Sequence, residues 1–525
     1  MERSSEATAE LLPEFRQGVT PARQRGRSWP SVGPCSRGYV FRPRSSIFCS
    51  RVLGPGGFLL GTGHPRLGES RHRLESRHAA VREPTSGAGP ASTQGRPASV
   101  LRMRGRTMEH FKILSLDGGG TWALIEVRAL IELFGPEARG HEVLRRFQLV
   151  VANSGGSIVA AGLAADFTLG QLLQLFRDEA KRRSIFVERP WYQRMLAAIP
   201  ALQDLEARYA ARKKLEGLER TFSESKLEGF ARLTMEEWKA RAGQGLADII
   251  ITAFDYDRRR AIFFRTRPAS PAASRSPAKN PTFAQAVHAS SNAPITFFDE
   301  PATFLERRFW DGAMGGYNNP TMAGVVEALS HMGDGAARVD PSTLRVLSLG
   351  TGMVLSLPPD ATGEVEDKRL LHTPEEPGLA SDIRKAALCI IDDPPDSASF
   401  IAHVTLGHRL PRDQGDVVQD GPVIRLSPVL RPVKRNGRWM YPEKIDPGFY
   451  QRVSELGMDA VQKEHVLLID SLCDAWLQGR IPNQSLRANQ DLEPEVGHAR
   501  FSDALTQLRT WLDGELAPPS VAAAR

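Results

Sequence analysis

The amino-acid sequence predicts an α/β fold, on three observations. Phe111–Leu116 (FKILSL) is a short apolar run that stops at Asp117-Gly118-Gly119-Gly120, and Leu124, Val127, Leu130, Ile131 and Phe134 then recur at helical spacing. Leu149–Val151 stops at Ala152-Asn153-Ser154-Gly155-Gly156, and an apolar, alanine-rich segment follows from Ile158. These two strand–turn–helix units lie within ~40 residues, the length of one βαβ unit. A third apolar run, Leu344–Leu349, also ends in a glycine turn, Gly350-Thr351-Gly352.

The first turn suits an anion. Consecutive glycines leave backbone N–H groups unobstructed at the positive end of a helix dipole, where a phosphate or an oxyanion can bind. The spacing departs from the G-x-G-x-x-G of a dinucleotide site, and Trp122 would crowd a pyrophosphate there.

The second turn has the form of a nucleophile elbow, G-x-S-x-G with Ala152 in place of the first glycine. Backbone and substrate approach such a serine closely, so the positions two before and two after it must be small. Ala152 and Gly156 meet that demand around Ser154. Ser157 is the competing serine, but Val159 stands two places after it and the helix has begun. Its hydroxyl is expected to bond back into the turn.

Further along, Thr168 is placed to cap a helix with Leu169, Leu172, Leu173 and Phe176 on one face. Residues 185–202 are apolar and aromatic with arginines set among them. They read either as a core helix with snorkelling arginines or as a lipid-contacting patch beside an acyl cleft. Leu246–Ala253 and Ala261–Phe264 read as strands joined by a charged, solvated turn, and residues 267–281 as a Pro/Ser/Ala-rich loop. Ala286–Phe298 (AVHASSNAPITFF) reads as a helix that breaks before Pro294, with His288 in a structural role. Phe309-Trp310 leads into Asp311-Gly312-Ala313, with Asn318-Asn319-Pro320 behind it. Beyond about residue 360, Pro-rich loops alternate with amphipathic segments such as Gly448–Leu477 and Phe501–Leu512, an α-rich pattern.

Composition narrows the function. The chain has 525 residues and a net charge of +7, but residues 1–107 hold 18 Arg, 7 Glu and neither Lys nor Asp. That stretch carries +11 and the remainder −4, so the basic balance gives no case for nucleic-acid binding by the globular body. Residues 1–107, rich in Arg, Pro, Ser and Gly, read as a disordered leader, either a transit segment or a mis-assigned start ahead of Met103 or Met108. The four cysteines, Cys35, Cys49, Cys389 and Cys473, form no C-x-x-C pair, which argues against a disulfide framework or zinc site and fits a cytoplasmic setting. No apolar run reaches the ~18 residues of a membrane span, so membrane contact is expected to be peripheral.

DGGG, A-N-S-G-G, ASSNAP, and DGA with N-N-P stand in one order, followed by SLGTG. That ordered set resembles the patatin-like phospholipase family of lipid acyl hydrolases over roughly Phe111–Gly352. The resemblance implies a three-layer α/β/α core with a central, mostly parallel sheet over residues 108–360, and leaves 361–525 as a C-terminal extension. It implies Ser154 as nucleophile and Asp311 as its base in a Ser–Asp dyad without a histidine. Gly118, Gly119 and Gly120 match the oxyanion turn, and Ala152, Gly156, Gly312 and Ala313 flank the motifs. Three departures are visible. Ala152-Asn153 stands for glycine–threonine, Ser157 for a second glycine, and Trp122-Ala123 for the usual Arg-Gly.

The implied chemistry is hydrolysis of a lipid carboxylic ester through an acyl-enzyme, with no metal or cofactor and no nucleic-acid partner. A neutral-lipid lipase or thioesterase would use the same site. A lipid-binding scaffold with a degenerate site is the alternative to which Ala152 and Trp122 would point.

Overall fold

The computed structural model describes residues 110–189, 207–243, 245–267, 280–294, 297–332, 338–355, 395–413, 415–436, 438–442, 444–489 and 492–512. The expected leader over 1–107, residues 190–202 of the apolar aromatic segment and most of the Pro/Ser/Ala-rich loop lie outside them.

A mixed sheet organises the described residues. Its strands are β1 (Phe111–Leu116), β2 (Leu149–Ala152), β3 (Asp248–Asp255), β4 (Arg260–Arg265), β5 (Ala302–Phe304), β6 (Arg307–Asp311) and β7 (Leu344–Leu349). Val423–Leu426 (β9) completes the sheet, in the order β5-β6-β3-β2-β1-β7-β9 with β4 also on β3, while Met353–Val354 (β8) lies outside it and pairs with Val429–Leu430. The pairs β3–β2, β2–β1, β1–β7 and β7–β9 are parallel, while β4, β5 and β6 run antiparallel to their neighbours. The two runs that predicted the fold are therefore adjacent central strands. Burial on both faces explains why they read as unbroken apolar stretches.

Successive residues of each strand face opposite layers. Leu114, Leu116, Val150, Ala152, Ile249 and Ile251 enter one core, shared with α1 (Leu124–Phe134), α2 (Ser154–Ala164) and α3 (Leu169–Arg177). Ile113, Leu149, Val151, Ile250 and Val346 enter a second core. The result is the three-layer α/β/α arrangement implied by the motif order.

Several boundaries differ from the sequence reading. The helix expected from Ala286 runs as Phe283–Ser290, started by a Thr282–Gln285 capping box. It stops at Ser290, four residues before Pro294. The hairpin over β3 and β4 forms as expected, but Asp255 in its charged turn is fully buried and paired with Arg307. Gly448–Leu477, expected as one amphipathic stretch, contains two helices, Pro447–Ser454 and Lys463–Leu477. The segment between them leaves the helical path because its backbone bonds to the first glycine turn.

The region after residue 360 contributes to the sheet itself. β9 lies parallel to β7, with Ser348 opposite Arg425. Arg425 is 1% exposed, and its guanidinium bonds Asp117 Oδ2 at 2.5 Å and Ser348 Oγ at 2.9 Å. The sheet does not end at the expected boundary of residue 360.

The register around β3 positions the site. β4 occupies one edge of β3 from Ile250 to Asp255, so β2 and β6 share the other edge. β2 ends with Ala152 opposite Ile251, and β6 ends with Asp311 opposite Ala253. The ends of the two strands thus meet head-on, which brings Asn153-Ser154 beside Asp311.

Candidate active site

Ser154 adopts φ 46°, a left-handed conformation that a residue with a side chain takes up only under constraint. Asn153 before it is extended, and Ser154 begins α2, so the chain turns sharply from strand into helix at the serine. Neighbouring elements enforce this bend. The Ser154 N–H donates to Ser290 Oγ at 2.8 Å, and Ser157 Oγ donates to the Ser154 carbonyl at 2.5 Å. The second bond is the one expected from Ser157's place at the start of the helix. A side chain on Gly156 would stand 2.6 Å from the Asp117 carbonyl oxygen, so the first turn of α2 must lack one where it crosses the end of β1.

Asp311 is 2% exposed. Its Oδ1 accepts from Asn153 Nδ2 at 3.0 Å and from the Ala313 N–H at 2.9 Å, and the nearby Ser154 hydroxyl also favours its ionised form. Thr252 Oγ1 donates to Asn153 Oδ1 at 2.7 Å and so fixes the Asn153 amide. A side chain on Gly312 would fall 2.3 Å from Asn153 Oδ1 and 2.5 Å from Thr252 Oγ1, which accounts for glycine after the aspartate. Burial pushes the Asp311 carboxyl above the ordinary carboxylate range, opposed by these bonds and by the charge of Lys214.

The first glycine turn is gripped from three sides. The Gly118 N–H donates to the Asn318 carbonyl at 2.8 Å, and Thr351 Oγ1 donates to the Gly118 carbonyl at 2.8 Å. A side chain on Gly119 would meet Thr351 at 2.3 Å. The N-N-P and SLGTG stretches therefore hold the turn in place. Gly120 has φ +57°, and a side chain there would lie 2.4 Å from the Met458 carbonyl oxygen.

Met458 belongs to the segment between the helices Pro447–Ser454 and Lys463–Leu477, which lies across the turn. The Thr121 N–H donates to the Met458 carbonyl at 2.9 Å and Trp122 Nε1 to the Gly457 carbonyl at 3.0 Å. Asp459 Oδ2 accepts from the Tyr209 hydroxyl at 2.5 Å, and the Val461 carbonyl accepts from Arg182 Nε at 2.8 Å. The unusual Trp122 is thus a buried anchor for this segment. A cavity of about 20 Å³ remains beside Ser154, walled in part by Ile158, Phe186, Phe298, Lys214 and Met458. That space holds about one water. Ile185 and Phe186, at the start of the aromatic segment, line it.

All the predicted site residues therefore converge. Ser154, Asp311 and Gly118–Gly120 meet at one end of the sheet, with Ala152, Gly156, Gly312 and Ala313 packed directly behind them. His288 is buried in its helix, where burial drives its imidazole well below the usual histidine range. Sequence reasoning missed three contributors. Lys214 is hidden among the charges of a surface-like helix, Ala211–Ser223, and Met458 and Arg425 lie more than a hundred residues after Asp311 with no local motif.

A left-handed serine at a strand–helix elbow, beside a buried aspartate and facing a glycine turn, has the geometry that a serine nucleophile needs for acyl transfer. Residues 114–325 match the family model described as patatin-like phospholipase. The family supports lipid acyl hydrolase activity. Among solved structures, VipD from Legionella pneumophila is similar at 10% identity, with 70% of this chain and 67% of that chain covered and a TM-score of 0.27. No curated protein matches the chain. Among the described residues, no helix is long and apolar enough to cross a membrane.

Proposed function

We propose that the chain hydrolyses carboxylic esters of membrane lipids through a Ser154–Asp311 dyad and an acyl-enzyme, in the manner of a phospholipase A or lysophospholipase. The observation that carries this reading is the left-handed Ser154 at the strand–helix elbow, with the buried Asp311 carboxyl held next to it by the neighbouring Asn153. Asp311 takes the hydroxyl proton as Oγ attacks the ester carbonyl, and the alcohol leaves with a proton. Water then attacks the acyl-serine and releases the fatty acid.

The Gly118 N–H is already bonded to Asn318, so in this reading Gly119 and Gly120 supply the oxyanion donors. One such donor typically contributes about 3 kcal/mol to the transition state. The cavity of about 20 Å³ cannot hold an acyl chain, so catalysis on a lipid requires its walls to part. Peripheral contact with a lipid surface is part of the proposal.

Incubation of the full chain with mixed phospholipids, followed by mass spectrometry of released fatty acids and lysolipids, tests it. Fluorophosphonate labelling of Ser154 without any ester turnover would favour an acyl-binding role, and absence of both would sink the reading.

A further inference from the structure

We infer that the tip of the β3–β4 hairpin is a docking surface for an anionic lipid bilayer, and that it seats the Ser154 end of the sheet against that surface. The inference rests on the lipid-ester reading and deepens it by naming the contact and the headgroup charge.

Strand register sets the tip beyond the site. Ala152, two residues before Ser154, lies opposite Ile251, and β3 runs on to Asp255. Those four further residues carry the turn ~13 Å past the end of β2, on the side where Ser154 stands. Along the other edge, Asp311 lies opposite Ala253, two residues before Asp255. β6 begins with Arg307 and Arg308 beside the tip, since Phe309 is opposite Asp255.

Residues 255–260 and 305–308 hold Arg258, Arg259, Arg260, Arg307 and Arg308 against Asp255, Asp257 and Glu306. That excess of +2 runs against the −4 of the globular body. Two of the acids are engaged within the hairpin and its neighbour. Asp255 is buried and paired with Arg307, and its Oδ1 accepts the Arg258 N–H at 3.0 Å. Asp257 Oδ1 accepts from Arg308 Nε at 2.9 Å. Arg259 and Arg260 are exposed, and neither has an acidic partner among the described residues.

Tyr256 adds an aromatic ring to the charge. It is 45% exposed, edge-to-face with Trp310 at 6.5 Å between centroids, and its ring centroid lies 5.1 Å from the Arg308 guanidinium. Its N–H donates to the Arg308 carbonyl at 2.9 Å, which ties the tip to β6. Tyrosine beside arginine suits the headgroup level of a bilayer, where the ring sits at the interface and the guanidinium meets phosphate. A turn that only joined two strands would need neither three consecutive arginines, which repel one another, nor an exposed ring. Nucleic-acid strands are held in grooves with successive stacking rings, whereas a projecting tip with one exposed ring fits a surface.

The test is cosedimentation of the full chain, carrying Ser154→Ala to keep the lipid intact, with phosphatidylcholine vesicles that contain or lack phosphatidylserine. Binding is expected with phosphatidylserine and is released by salt. Each basic residue near an anionic surface strengthens binding about fivefold, so Arg259→Gln with Arg260→Gln is expected to weaken it about 25-fold. Tyr256→Ala is expected to weaken it as well. Residues 1–107 carry +11, so Arg71→Gln with Arg73→Gln serves as the control and should cause a smaller loss. With Ser154 restored, Arg259→Gln with Arg260→Gln should hydrolyse a soluble p-nitrophenyl ester at the wild-type rate while losing action on anionic vesicles.

Undiminished vesicle binding after loss of the two hairpin arginines overturns the inference. So does an equal loss in the control, or retention by RNA without binding to vesicles. Arginine-dependent vesicle binding without any ester turnover by the wild type instead sinks the dyad reading and leaves the docking surface standing.

Discussion

Asn153 Nδ2 donates a 3.0 Å hydrogen bond to Asp311 Oδ1, so the residue preceding Ser154 also holds the Asp311 carboxyl. Where the family resemblance implies threonine, this chain has a longer side chain that spans from β2 to β6. Asn153→Ala would leave Asp311 and Thr252 each short of a buried partner, at a stability cost of about 1–3 kcal/mol. The lost bond favours the carboxylate, so its removal raises the Asp311 pKa and moves the acid limb of ester hydrolysis to higher pH. Urea denaturation and a pH–rate profile check the two halves of this prediction.

Ser154→Ala and Asp311→Asn should each reduce ester turnover by about 10⁴-fold or more while leaving thermal unfolding unchanged within a few degrees. Fluorophosphonate labelling should vanish in Ser154→Ala and persist at Ser154 in Ser157→Ala. Labelling transferred to Ser157 would reverse the assignment of the nucleophile.

The acid limb of the wild-type profile should lie above the ordinary carboxylate range, because burial raises the Asp311 carboxyl. The base works only when ionised, so activity falls as pH drops through that raised pKa. A limb at the pKa of a free aspartate, ~3.9, would contradict the buried dyad. So would abolition of turnover in a folded His288→Ala variant.

Gly312→Ala should cost about 1–3 kcal/mol and most of the activity, because the new methyl group meets Asn153 and Thr252 at 2.3 and 2.5 Å. Gly245→Ala, where nothing stands within 4 Å, should change stability by no more than about 0.5 kcal/mol. Thermal denaturation of the pair separates a packing requirement from a general intolerance of glycine replacement.

Arg425→Leu should destabilise the fold by about 3–5 kcal/mol. It strips the buried Asp117 carboxylate of its ion-pair partner and leaves Glu126 buried close by. Burial already holds the Asp117 carboxyl up at about 6 against the pull of Arg425. Loss of the guanidinium raises it further. The variant's deficit should therefore shrink below that pKa, where Asp117 is protonated, and reach its full size above it. Denaturant midpoints measured on either side of that pH provide the check.

Much of the site was legible in the sequence because each part is set by local chemistry. A strand, a small-residue turn and a helix are encoded within about twenty residues, and so are the glycines that crowded backbones demand. That was enough to single out Ser154 and Gly118–Gly120 as separate turns, while Asp311 was reached through the resemblance of the motif order. Their meeting was decided by the tertiary structure, through the register that sets β2 and β6 end to end on one edge of β3. No local pattern encodes that register, because β3 pairs with β2 across 99 positions of the chain and its Ala253 with Asp311 of β6 across 58. The same holds for Lys214, Arg425 and Met458. Each is an ordinary residue in an ordinary stretch, and only the tertiary structure places it beside Ser154 or the first glycine turn.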